Sequence, residues 1–260
     1  MFLATHGVIR NNGGGGYTAR TTSLISATGI TNTTLINAIN TLDLGIISNS
    51  LPFSSDDALY LGTLGSNSAN TYNFIDTTKY QLTLIGGWSS TTGLKGNGVN
   101  SYAQTGWIPS ARISGVNNGT WGFYSRNNIN TIASYYYPFI SNTPAGNSFG
   151  VYKYADSKLY PLIQNNSFDG IIPYKYVGMF QSSRTSSSNV DLLVTQTNSS
   201  ITRASVGLST AQVTLGDNSF STGLDYCCAY LSANQWTLAQ KQTFETLVTT
   251  FLTTLGLNVW

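Results

Sequence analysis

The sequence predicts a mainly β protein, an antiparallel β-sandwich or jelly roll, with a short N-terminal helix and a C-terminal amphipathic helix. Three observations carry this. Short β-prone runs follow one another from about Leu59 to Tyr230, with turn clusters roughly every 8 to 15 residues. Tyr and Phe alternate with small or polar residues in SFGVYKYAD and YKYVGMF, the period of half-buried strands. Three-and-four apolar spacing, the mark of a helix face, occurs after Thr31 and again after Thr237.

Residues 1–30 read as a Gly-rich leader. Its tetraglycine, in NNGGGGYTARTT, is followed by a β-prone segment. The stretch is either a flexible linker or a peptide that docks on a partner, with Tyr17 and Arg20 as its docking side chains. TNTTLINAINTLDLG then places Leu35, Ile36, Ile39 and Leu42 on one helical face. Thr31 or Asn32 serves as N-cap and Gly45 as the stop. The expected division is 1–54, a docking or oligomerisation segment, and 55–260, the sandwich with its last helix.

Gly86 to Ser110, GGWSSTTGLKGNGVNSYAQTGWIPS, is rich in Gly, Ser and Thr, carries Trp88 and Trp107, and has Lys95 as its one charged residue. Its GNG echoes part of a phosphate loop but lacks the Lys-Ser/Thr ending, and reads better as a hairpin turn. In the last segment Phe244, Leu247, Val248, Phe251, Leu252 and Leu255 make a continuous apolar stripe. Thr237 and Gln240 form a capping box and Gly256 is the C′ residue. Such a helix is expected to cross one sheet edge.

Composition excludes several functions. Only 8% of the 260 residues are charged, while 41% are hydrophobic, so polarity comes from Ser, Thr, Asn and Gly. A net charge of +2, with Arg10, Arg20, Lys79, Lys95, Arg112 and Arg126 scattered singly, argues against nucleic acid. No apolar run approaches the ~20 residues of a membrane span, and MFLATHGVIR is no secretion signal. Lys241, the last helix's one basic residue, argues against membrane-surface binding. Cys227 and Cys228 are adjacent and read as small buried side chains, as suits a reducing cytoplasm.

Catalytic and metal chemistry find few candidates. His6 is the one histidine and lies in the leader. Of the ten acidic residues nine are Asp, and Glu245 is the one glutamate. Asp56 and Asp57 are adjacent, so on a strand they would point to opposite faces. No catalytic residue, metal site or cofactor is expected. Aromatic residues are the remaining resource. Trp88, Tyr102, Trp107 and the run Tyr135, Tyr136, Tyr137 could serve core packing, a subunit interface or sugar stacking.

Four segments in order resemble one family: Tyr17 to Leu51, Gly86 to Ser110, GFYSRNN (Gly122 to Asn128), and TLAQKQTFETLVTTFLTTLGLNV ending at Val259. They are similar to tailed-bacteriophage virion proteins with a concanavalin A-like lectin/glucanase (laminin-G-like) sandwich, as found in phages of Bacteroidetes hosts including crAss-like phages. The resemblance implies a concanavalin A-like fold and a structural part of a virion, a fibre or decoration on capsid or tail. It also implies homotrimers, contact with other virion proteins, and assembly in the host cytoplasm. The glucanase branch's Glu-x-Asp-x-x-Glu has no counterpart here, so the resemblance brings no catalytic role. The rival expectation is an adhesin that binds a host surface polysaccharide through Trp88, Trp107, Tyr102 and Tyr135 to Tyr137.

Overall fold

The computed structural model describes residues 16–129, 136–141, 148–153, 156–165, 170–173, 175–216 and 223–259. Two antiparallel sheets face each other, and a layer of helices covers the outer face of the larger one. In chain order the elements are α1 (Ala19–Thr28), α2 (Thr33–Ser48), β1 (Ala58–Leu61), α3 (Asn67–Asn70), β2 (Thr83–Ile85), β3 (Trp88–Ser89), β4 (Leu94–Gly96), β5 (Tyr102–Gln104) and α4 (Pro109–Arg112). There follow β6 (Thr120–Ser125), β7 (Tyr136–Ser141), β8 (Ser148–Lys153), β9 (Leu159–Asn165), β10 (Gly178–Arg184), β11 (Asn189–Val194), β12 (Thr197–Thr202), β13 (Thr214–Leu215), β14 (Asp225–Ser232) and α5 (Leu238–Thr254).

The larger sheet runs β12-β11-β10-β6-β14-β4-β3, and β1 also pairs with β14; the smaller runs β2-β5-β13-β7-β8-β9. This is the sandwich that the alternating strands predict.

Alternation along the strands makes two cores. Trp121 and Phe123 of β6, Phe180 of β10 and Tyr226, Ala229 and Leu231 of β14 face the smaller sheet. Tyr124, Met179, Cys227, Cys228 and Tyr230 face the helices. Adjacent cysteines share a face because the register of β14 against β6 shifts between Tyr226 and Cys228, a bulge that inserts one residue. Both are buried free thiols. Gly122 lies opposite Tyr230, where a Cβ would stand 2.4 Å from the Tyr230 ring; the ring fills the space that the missing side chain leaves.

Four expectations need correction, the last of them for the C-terminal helix. The YTARTT segment is not a strand: α1 begins at Ala19, with the Thr18 side chain accepting from the Thr21 N–H. A Thr N-cap and the buried Thr21 and Leu24 outweigh the weak β propensity of threonine. Second, α2 does not stop at Gly45 but runs to Ser48. Gly45 is there for close packing, since a Cβ would lie 2.4 Å from Leu247 of α5. The expected N-cap at Asn32 is found, its side chain accepting from the Leu35 N–H. Third, GNG is not a hairpin turn between paired strands. β4 belongs to the larger sheet and β5 to the smaller, so Asn97 to Ser101 is a crossing between sheets.

The C-terminal helix forms as its caps dictate. Thr237 and Gln240 make both bonds of the capping box, and Gly256 sits at φ +68°. It lies across the outer face of the larger sheet rather than at an edge, packing Phe244, Val248, Phe251 and Leu252 into the core that holds Tyr124, Met179 and Tyr230. Residues of α1 and α2, among them Leu24, Ile39 and Leu42, share that core.

Candidate functional site

At one edge of the sandwich the β3–β4 hairpin of the larger sheet meets β2 of the smaller. The Trp88 indole N–H donates to the Ile85 carbonyl at 2.9 Å, linking the two sheets. Its ring packs against the inter-sheet core and stays half-buried. Ile85 is the register partner of Tyr102 on β5, which puts Tyr102 one strand in from that edge.

The crossing after β4 is held by asparagines. Asn97 Oδ1 accepts from the N–H groups of Val99 (2.9 Å) and Asn100 (3.1 Å), an Asx turn, and Asn97 Nδ2 donates to Asn100 Oδ1 at 2.8 Å. Asn100 Oδ1 also accepts from Gly87 N at 3.3 Å, and Asn97 N donates to Gly87 O at 3.0 Å. Asn67 Nδ2 donates to the Trp88 carbonyl at 2.9 Å. These bonds fix an otherwise Gly-rich loop and leave Val99 80% exposed at its tip.

An open groove of about 410 Å³ lies here, lined by Gly87, Trp88, Ser89, Lys95, Gly96 and Asn97. Its side chains are an indole, a hydroxyl, an amide and one ammonium, with no carboxylate among them. That set can place an apolar face against a ligand and donate or accept hydrogen bonds around it. It offers no acid–base pair.

The other expected site residues are placed differently. Trp107 has no exposed surface: its ring lies 5.4 Å from that of Phe149, and its indole N–H donates to Asp56 O at 2.8 Å. It belongs to the inter-sheet core and has nothing to present to a sugar. Tyr135 lies outside the described residues. Tyr136 and Tyr137 open β7, two strands beyond β5, and their side chains also lie outside the described set. Tyr17 is half-buried just before α1. Arg20 is engaged within the chain, 2.7 Å from Asp43 of α2 and with its guanidinium 6.0 Å from the Phe74 ring centre.

Sequence reasoning missed the ionisable groups buried beneath α5. Lys241 Nζ lies 2.5 Å from Asp191 Oδ1, and both residues are buried. Burial lowers the Lys241 pKa, and Asp191 opposes that. Glu245, also buried, accepts from the Gln196 N–H at 3.2 Å; burial pushes its pKa up to about 7, against that hydrogen bond. The signal was present in the periodicity, since Lys241 and Glu245 fall on the same three-and-four stripe as Phe244 and Val248.

The remaining buried carboxylates are also engaged. Asp57 accepts from Ser54 N (2.7 Å), Ala233 N (2.8 Å) and the Ser232 hydroxyl (3.0 Å); burial nevertheless raises its pKa. Asp225 accepts from the Thr92 hydroxyl at 2.6 Å and lies 3.7 Å from Arg126. Among the described residues no group of three or more His, Cys, Asp or Glu could hold a metal ion. No helix among them is long and apolar enough to cross a membrane.

No known protein family matches the sequence, and no curated protein matches it. Solved structures do match in fold. A mutant of Trypanosoma rangeli sialidase displaying trans-sialidase activity superposes with a TM-score of 0.51 at 10% identity, over 83% of this chain and 38% of the sialidase chain. Trypanosoma rangeli sialidase in complex with 2,3-difluorosialic acid gives 0.50 at 10% identity, over 81% and 39%. The botulinum neurotoxin serotype D binding domain gives 0.45 at 10% identity, over 74% and 52%. The chain thus spans under two-fifths of the sialidase chains, and what it shares with them is a β-sandwich fold.

Proposed function

We propose that the chain is a non-catalytic glycan-binding module that takes a host surface polysaccharide at the Trp88 edge. One observation carries the reading: a half-buried indole lines an open groove with Ser89, Asn97 and Lys95, and no carboxylate joins them. Sugar rings stack their C–H faces on aromatic surfaces and exchange hydrogen bonds with amides and hydroxyls. Tyr102, one strand in from that edge in the other sheet, offers a second ring in this reading. Glycoside hydrolysis would need two carboxyl groups on either side of a glycosidic bond, and the acids beneath α5, Asp191 and Glu245, are buried. The sialidase likeness adds the fold to this reading and no substrate.

Trp88→Ala is the test, read by binding to an array of bacterial surface polysaccharides and by thermal melting. The expected result is saturable binding by the parent protein that weakens at least about tenfold in the variant, at roughly 1.4 kcal/mol per tenfold, while the melting temperature stays close to the parent's. Unchanged binding in the variant would remove the Trp88 groove from the function.

A second reading, that the module is carried on a phage particle as a fibre or decoration, is favoured by the helix layer. The charged residues of α2 and α5 are Asp43, Lys241 and Glu245, and all three are buried. The exposed positions are Thr33, Thr34, Asn37, Thr41, Leu44, Ile47 and Ser48 on α2, and Leu238, Ala239, Thr246, Thr250, Thr253 and Thr254 on α5. A charge-free face offers nothing to a charged partner and meets an identical face without repulsion, so its occupant in this reading is another copy of the chain, in a homotrimer that other virion proteins hold. Immunogold electron microscopy of particles decides it: label at one discrete location supports a virion part, and label confined to the soluble fraction overturns it.

A further inference from the structure

We propose that Glu245 is a pH-sensitive latch, which ties the β11–β12 turn to α5 while its carboxyl is protonated and releases the turn when it ionises. The turn itself is unusual. Thr195 and Gln196 form a two-residue connection with φ of +48° and +65°, the mirror-image geometry that favours Asn and Gly. Something outside the turn must hold two such residues there. Glu245 Oε2 accepts from the Gln196 N–H at 3.2 Å, and the Gln196 side-chain amide donates to the Gln242 carbonyl at 3.4 Å. Both contacts come from α5; from the other side the turn is held at Thr195, whose N–H donates to the Met179 carbonyl of β10 at 3.1 Å and whose hydroxyl donates to the Val177 carbonyl at 3.2 Å.

The charge count around Glu245 sets the sign. Lys241, one helical turn before it, is paired with Asp191 of β11. Tyr230 of β14 faces the same space, its hydroxyl donating to Gln181 Oε1 of β10, while Gln181 Nε2 donates to the Lys241 carbonyl. On the other side of α5, α2 brings Asp43 as its one ionisable group, and that is paired with Arg20. β12 and the turn carry no ionisable side chain. With Lys241 and Asp191 offsetting each other, a neutral Glu245 leaves the pocket neutral. Ionisation leaves one buried negative charge with no cation of its own, and Glu245 Oε1 has no hydrogen-bond partner to carry it.

The linkage follows from the direction of the shift. Burial raises the Glu245 pKa from its ordinary 4.5 to about 7, so the docked turn binds a proton that the released turn gives up between those values. The latch is therefore firm at acid pH, and weakens as pH rises towards 7.

Amide hydrogen exchange over residues 194–197 tests this, corrected for the intrinsic pH dependence and compared between the parent and Glu245→Gln. In the parent, protection should fall at least about tenfold between pH 5 and pH 8. In Glu245→Gln, which keeps an acceptor for the Gln196 N–H but cannot ionise, it should stay flat. Equal pH dependence in both proteins would overturn the proposal. Should the variant fail to fold, carboxyl carbon NMR of the parent decides alone: a Glu245 midpoint near 7 supports the latch, and one below 5 overturns it.

Discussion

The two faces of the larger sheet are built from the same strands but bury different chemistry. Towards the smaller sheet, β6, β10 and β14 present Trp121, Phe123, Phe180, Tyr226 and Leu231. Towards the helices they present Tyr124, Gln181, Tyr230 and two thiols, with Asp191, Lys241 and Glu245 buried among them. The contrast teaches what each kind of cover allows. Two sheets meet through side chains alone, with backbone groups already committed to ladders, so the contact is filled by apolar bulk. A helix brings side chains at three-and-four spacing and can seat a charge opposite its counter-charge. One buried cation on the inner side, Arg184, is fastened differently, donating to the carbonyls of Ile163, Ser186, Ser187 and Arg203. Burial alone pulls its pKa down to about 10.

If the inner face is the chief source of cohesion, removing bulk there should have the largest effect. Phe123 is fully buried, with its ring 5.0 Å from Phe180 and 6.0 Å from Tyr226. Phe123→Ala should cost about 3–5 kcal/mol in denaturant unfolding. A cost below about 1 kcal/mol would mean that the sheets close over the gap and that the inner packing is looser than its burial suggests.

On the outer face the larger penalty should come from leaving a charge alone rather than from lost volume. Lys241→Met strands Asp191 beneath α5 and should cost about 3 kcal/mol. Asp191→Leu added to it removes the stranded charge and should restore most of the loss. A double variant no better than the single one would show that packing, not charge pairing, is what Lys241 supplies.

The legibility of these layers in the sequence differs for the same reason. The sandwich, the helix caps at Asn32 and Thr237 and the apolar stripe of α5 are local patterns, and each could be read from neighbouring residues. Which sheet a strand joins is not local: GNGVNSY reads as a hairpin until Leu94 and Tyr102 are found in different sheets. Gly45 has the composition of a helix stop and the role of a helix–helix contact, because its partner Leu247 lies some two hundred residues away in the sequence. At the candidate site, the sequence singled out Trp88 and Tyr102 by residue type; the fold puts Trp88 in the groove and Tyr102 one strand in from that edge. It could not separate them from Trp107, equally aromatic and wholly buried, since burial depends on which strand crosses above. Asn97 and Asn100 were passed over because their bonds to Gly87 close only once the crossing is formed.

A smaller effect separates the faces in time rather than in stability. Cys227 and Cys228 lie on the outer face under the helices, and burial pushes the Cys228 thiol up to about 12 and the Cys227 thiol higher still. At neutral pH neither can be alkylated until the helix layer lifts, so their labelling rate in excess iodoacetamide reports that opening. Single replacements such as Cys228→Ala should shift global stability by only about 1 kcal/mol, so each thiol can be read separately. The outer layer rests on α1, α2 and α5, whereas the inner face is closed by ladders on both sides. The expected result is therefore an opening free energy for the thiols below that of global unfolding, with a weaker dependence on denaturant because less surface is exposed. Values equal to the global ones would mean that the two faces melt as one unit, and that the helices are as integral to the sandwich as its second sheet.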